Sequence, residues 1–206
     1  MDASGTIDLL RRAVPGATIE SIESIDMPTL SVDRDHLLDV CQVLRDDPAL
    51  QYALLVDVTA VDRLPADPRF EVVYHMACVG SAYLTAGATT AAPASRLRLK
   101  VGLAGDNARI PSVTGVWPTA GWPEREVWDL FGITFEGHPD LRRILMPDDW
   151  DGFPLRRDYP VQIRKDTAAW SPLQMSAEEF ARNVRAGHDK ATRQARATGA
   201  RPVSGE

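Results

Sequence analysis

From Ile133 to Pro160 the chain runs for 28 residues with neither the 3.6-residue apolar period of a helix nor the two-residue alternation of a strand. Prolines 139, 147, 154 and 160 forbid long regular elements there, because each fixes φ and removes an amide donor. Immediately upstream, residues up to Phe131 read as a helix stopped by Gly132. The irregular stretch is about twice the length at which structureless loops become uncommon in compact domains. Its composition argues against disorder: Ile133, Phe135, Leu141, Ile144, Leu145, Met146, Trp150, Phe153, Leu155 and Tyr159 are aromatic or large aliphatic groups that disordered chains lack. Burying each is worth roughly 1.5–3 kcal/mol, so the segment must dock on its own core or on another protein.

Charges interleave with those apolar groups. Glu124, Glu126, Asp129, Glu136, Asp140, Asp148, Asp149, Asp151 and Asp158 stand among Arg125, Arg142, Arg143, Arg156 and Arg157. Arginine's planar fork suits interface ion pairs with carboxylates, and here it alternates with Trp, Phe and Leu rather than with Ser and Gly. A solvated surface, whose pairs are worth ~0–1 kcal/mol each, fits that pattern less well. On the helix, Arg125 and Asp129 are spaced i, i+4 and are expected to neutralise one another.

Before that segment the pattern is regular. Thr6 is placed to cap a helix with Ile7, Leu9, Leu10 and Val14 inward, ended by Pro15-Gly16. Residues 18–25 and 29–32 read as a hairpin, and Asp33 caps a helix to Arg45 with Leu37, Val40, Cys41 and Leu44 on one face. Three strands follow at 53–62, 70–79 and 96–103. The first is expected to turn Val56, Val58 and Ala60 to one side, the second Phe70, Val72, Tyr74, Met76 and Cys78, and the third Leu97, Leu99, Val101 and Leu103. The fold class is therefore α+β: a two-layer α-β-β-α-β-β-β domain with a mixed sheet over 1–132, the irregular docking segment 133–160, and a polar tail over 161–206. Within the tail a helix is expected near 177–196 and disorder past Ala197, and the Ala/Thr-rich stretch between Val79 and Arg96 reads as a flexible loop.

The net charge of −6 disfavours a nucleic-acid or anionic-membrane partner, although residues 161–206 carry +3 by themselves. No stretch approaches the ~20 apolar residues of a membrane helix, and the acidic start lacks a signal-like cationic region. Cys41 and Cys78 fall at apolar positions and read as buried hydrophobes in a reducing compartment. Neither a Gly-x-Gly-x-x-Gly turn nor a phosphate loop is present, and two distant cysteines cannot hold an iron–sulfur cluster. His36, His75, His138 and His188 show no ligand spacing. A His138–Asp140 acid–base pair has no nucleophile beside it, so a stand-alone hydrolase ranks below a structural role, as does a nucleic-acid binder using the basic tail.

The run Glu124-Arg125-Glu126, Asp129-Leu130-Phe131, His138, Arg142, Ile144-Leu145, with these spacings, resembles the signature of the 30-kDa subunit family of respiratory complex I, the C-type subunit of bacterial NADH-quinone oxidoreductase. The lead-in Val113 to Trp122 and the exit Gly152 to Pro160 are similar to the family as well, with weaker echoes at Asp46-Asp47-Pro48, Val61-Asp62 and Val72-Val73-Tyr74-His75. The resemblance implies a non-catalytic, peripheral scaffold subunit with no cofactor in this chain, flavin and iron–sulfur clusters residing in partner subunits. It implies as partners the 49-kDa-type subunit, the subunit that carries the terminal iron–sulfur cluster and other hydrophilic-arm subunits, on the cytoplasmic face of the bacterial plasma membrane. The related reading is the equivalent subunit of a membrane-bound hydrogenase or other-donor quinone oxidoreductase. The docking residues it points to are Glu124, Arg125, Glu126, Asp129, Leu130, Phe131, His138, Arg142, Arg143, Ile144, Leu145, Trp150, Phe153, Arg156, Asp158 and Tyr159. Of these, Arg142, Arg143, Trp150 and Phe153 are expected to be the energetic anchors. The stretch before Arg96 is longer than the turn usual in the family.

Overall fold

The computed structural model describes residues 3–79 and 95–160, with five further positions in the tail. The expectations for the stretch after Val79 and for nearly all of 161–206 lie outside those residues. The chain divides into two compact units, Met1–Tyr159 and Pro160–Glu206, so the irregular segment is built onto the α+β domain that precedes it.

The elements follow in the order α1 (Ala3–Ala13), β1 (Ile19–Ile22), β2 (Thr29–Val32), α2 (Leu37–Asp46), β3 (Leu54–Asp62), β4 (Phe70–Cys78), β5 (Ser95–Leu103), β6 (Arg109–Pro111), α3 (Gly121–Phe131) and β7 (Thr134–Glu136). Single 3-10 turns at Arg34–His36 and Pro118–Ala120 lead into α2 and α3. Five strands form a mixed sheet in the order β1-β2-β5-β4-β3, parallel only between β2 and β5. The alternation in β4 and β5 sends Phe70, Val72, Tyr74, Met76, Cys78, Leu97, Leu99, Val101 and Leu103 into one core with Leu37, Val40, Cys41 and Leu44 of α2 and Val127 and Phe131 of α3. On the opposite face Lys100 and Arg63 both reach Glu71 at 2.9 Å, and Arg98 donates to His75 at 3.0 Å.

Four expectations are corrected. Thr6 does not cap α1: the helix already runs from Ala3, and the Thr6 side chain is buried within it, one turn before Leu10. Val56 does not join Val58 and Ala60 in the core. A β-bulge between Leu55 and Asp57 reverses the alternation, burying Leu55 and leaving Val56 exposed. The stretch after Ile133 is not wholly irregular, because β7 pairs in parallel with β6 and buries Phe135 beside Ile110. Strands of three residues are too short to show a period. Asp129 is not paired with Arg125 across the helix surface, as described next.

Candidate docking surface

Helix α3 ends at Gly132, whose φ of 73° is left-handed and whose amide bonds Trp128 O at 2.8 Å. The glycine is required twice over: a Cβ there would also stand 2.4 Å from Cε2 of Phe153. The chain then turns back through β7, and residues 138–159 form a strap that lies against α3 and the β3–β4 hairpin.

The strap's first fastening is Asp129. Its carboxylate is fully buried and accepts the amides of Ile144, Leu145 and Met146 at 3.1, 2.8 and 2.8 Å on Oδ2, and the Arg143 guanidinium at 2.6 Å on Oδ1. Burial alone would raise this acid. The amide of Met146, the Arg143 fork and the two remaining amides outweigh it and hold the carboxyl below its ordinary value. Arg143 also donates to Trp150 O and Gly152 O, at 2.8 and 3.2 Å, so one guanidinium gathers both limbs of the strap. Arg125, free of Asp129, donates instead to the carbonyls of Arg142 and Arg143 at 3.1 and 2.9 Å.

The second fastening centres on Arg69, a residue outside the signature's own pattern. Arg69, buried at the start of β4, grips Asp62 at the end of β3 with two donors, at 3.2 and 2.9 Å, and binds Asp158 of the strap at 2.7 Å and also Asp106. The Arg157 amide adds a bond to Asp62 Oδ2 at 2.9 Å. Burial would raise Asp62, but Arg69 and the amides of Arg157 and Leu64 bring it down to about 2. An arginine and an aspartate closing the two ends of a hairpin was the available sequence signal. Arg156 sits between the fastenings, donating to Phe131 O at 2.6 Å and stacking over Phe153 and Phe70, 4.7 and 5.3 Å from the ring centroids. Tyr159 closes the strap on itself, donating to Asp151 O at 3.0 Å across Gly152, whose φ is 78°.

His138 is a staple. Its Nδ1 accepts the Asp140 amide at 3.0 Å, which leaves the proton on Nε2, aimed at Gly121 O at 2.9 Å. The Asp140 carboxylate pairs with Arg142 at 2.9 Å, so His138 and Asp140 do not form an acid–base couple. Glu124 is fully buried and meets the Ser112 hydroxyl at 2.6 Å and the Val113 amide at 2.7 Å. Burial pushes its acid up to about 7.

The predicted docking residues thus divide. Asp129, Phe131, Arg143, Phe153, Arg156 and Asp158 fasten the strap to its own domain, with Leu130 and Ile144 partly buried beside them. What remains outward is Glu126, Arg142 and Leu145, together with Leu155 and Trp122, both of which the predicted set omits and the second of which is 74% exposed. Trp150 and Tyr159 are half-buried. Among the described residues no helix is long and apolar enough to cross a membrane, and no three His, Cys, Asp or Glu side chains are grouped to hold a metal ion.

Residues 30–165 match the family model described as the respiratory-chain NADH dehydrogenase 30 kDa subunit. The chain is 42% identical to the C-type subunit of NADH-quinone oxidoreductase from Roseiflexus sp. strain RS-1, over 78% of this chain and 86% of that one. It is 41% identical to the second C-type subunit of the same enzyme from Rhizobium etli, over 73% and 74% of the two chains. Among solved structures it superposes on the trypsin-resistant fragment 1–134 of Nqo5 with a TM-score of 0.53 and 30% identity, covering 68% of this chain and all of that one. A chain of an archaeal membrane-bound sulfane sulfur reductase shares the fold, with a TM-score of 0.58 at 23% identity over 77% and 85% of the two chains. The α+β domain, its signature strap and these likenesses place the chain in the 30 kDa subunit family of the respiratory-chain NADH dehydrogenase, complex I.

Proposed function

We propose that this chain is a peripheral subunit of an NADH-quinone oxidoreductase that carries no cofactor and performs no chemistry itself, and that holds neighbouring subunits in register while electrons pass from NADH to quinone. The observation that supports this best is the strap. Arg143 and Asp158 of the strap are spent on its own domain, at Asp129–Arg143 and Asp62–Arg69–Asp158, which fixes an irregular ribbon in one shape. Its outer side keeps Leu145 and Leu155 in water, with Trp122 exposed on the first turn of α3. Large apolar groups presented by a rigid frame are what a protein interface requires, because little conformational entropy is lost on binding.

The partners in this reading are the 49-kDa-type subunit and the terminal-cluster subunit. Flavin and iron–sulfur clusters belong to such neighbours, and the chain reaches the cytoplasmic face of the membrane only through them. A tagged full-length chain captured from membranes, with the co-purifying subunits identified, tests the proposal. Both of those partners are expected in stoichiometric amounts, together with NADH-quinone activity. Recovery of the folded chain alone would refute the scaffold role, and recovery with hydrogenase subunits would move it to the related complex.

A further inference from the structure

Glu124 lies on the inner side of α3, wholly buried, and both of its oxygens meet neutral donors. From α2 the Cys41 thiol and from β4 the Tyr74 hydroxyl stand near enough to feel its charge; both are buried, and burial pushes both upward in pKa, with Glu124 adding to the rise. The Tyr74 hydroxyl has no hydrogen-bond partner. The cations nearby are committed elsewhere: Arg45 of α2 to Asp46 and to the Val116 carbonyl, Arg125 to the strap. Asp129, on the same helix, is the one that receives an arginine.

The hydrogen bonds around Ser112 accommodate a neutral acid. Ser112 Oγ lies 2.6 Å from Glu124, 2.8 Å from Thr114 Oγ1 and accepts the Thr114 amide at 3.2 Å. A protonated Glu124 donates to Ser112, whose own proton turns to Thr114, and every group is satisfied. An ionised Glu124 accepts a hydrogen bond from the Ser112 hydroxyl instead and leaves a full charge in the core with one hydroxyl and one amide to hold it, which burial penalises heavily.

We propose that Glu124 is a pH-sensitive latch: as a neutral acid it closes α3 onto the 112–114 turn, and its ionisation loosens that contact and, through α3, the seat of the strap at Asp129. The inference concerns the chain's own packing and stands whichever partners the strap meets. In the unfolded chain this acid ionises near its ordinary value of 4.5, and in the folded chain near 7. A raised acid gives stability that is full below the lower value, falls as pH rises between the two, and levels off above the higher one.

The test uses the full chain at pH 5.5 and pH 8. The folding equilibrium constant of the wild type is expected to fall by about tenfold or more between those pH values relative to Glu124→Gln, which removes the titration. Carbon-13 NMR of the wild-type side-chain carboxyls is expected to show one acid with a midpoint near 7, and the protection of the amides of Val113 and 144–146, taken relative to intrinsic exchange at each pH, to fall above it in the wild type but not in Glu124→Gln. A Glu124 midpoint below 5, or a Glu124→Gln variant with the same pH dependence as the wild type, would overturn the latch. Should Glu124→Gln fail to fold, the wild-type titration alone decides.

Discussion

The two fastenings of the strap are built with opposite polarity. At the first the domain supplies a buried anion, Asp129, and the strap brings a cation and three amides. At the second the domain supplies Arg69, already paired with Asp62, and the strap brings the anion Asp158 and one amide. A strap slid along its bed would set like charges together, so the pair of fastenings specifies register as well as attachment. Their burial differs too. Asp129 is wholly enclosed, whereas the Asp158 side chain is 51% exposed. The first fastening should therefore carry most of the stability and the second mainly the alignment of the exit.

Substitutions can separate those weights. Asp129→Ala leaves the Arg143 fork and three amides without their acceptor, and is expected to cost about 3–5 kcal/mol in urea unfolding, near the upper end for single changes. A loss under about 1 kcal/mol would put the weight elsewhere. Gly132→Ala comes next, at about 1–3 kcal/mol, since the side chain meets both a left-handed backbone and the Phe153 ring. Adding Phe153→Ala to it should lose less than the sum of the two single changes, because the clash is relieved; strict additivity would show that the two do not touch. The smallest effect belongs to Asp158→Asn, at about 0–1 kcal/mol, with Arg69 still paired to Asp62. Capture of neighbouring subunits from membranes by that variant, compared with the wild type, reports whether the exit must be aligned for assembly.

The same contrast marks what the sequence discloses. Local periodicity placed the sheet: Leu97, Leu99, Val101 and Leu103 alternate with Arg96, Arg98 and Lys100, and they do line the core. Gly132 announced the end of α3 because an αL stop leaves a residue-level mark. Val56 misled because a bulge inserts one residue without changing composition. Asp129 misled for a different reason. Arg125 was its neighbour in the helical net, but Arg143 and the amides of 144–146 approach from outside the helix, and no one-dimensional spacing encodes that approach. Arg69 and Trp122 are missing from the predicted docking set for the same cause, since each matters through where the strap lies relative to it. The signature itself was readable as a pattern, yet which of its members face inward became visible only with the fold.

Amide hydrogen exchange at Ile144, Leu145 and Met146 in the full-length chain, free of any partner, tests the fastening most directly. With Asp129 accepting all three amides, exchange there should be slowed by orders of magnitude relative to an unstructured peptide, and Asp129→Ala should abolish the protection. Exchange at unstructured rates in the folded wild-type chain would contradict it, because the strap would then take its shape from a partner and not from its own domain.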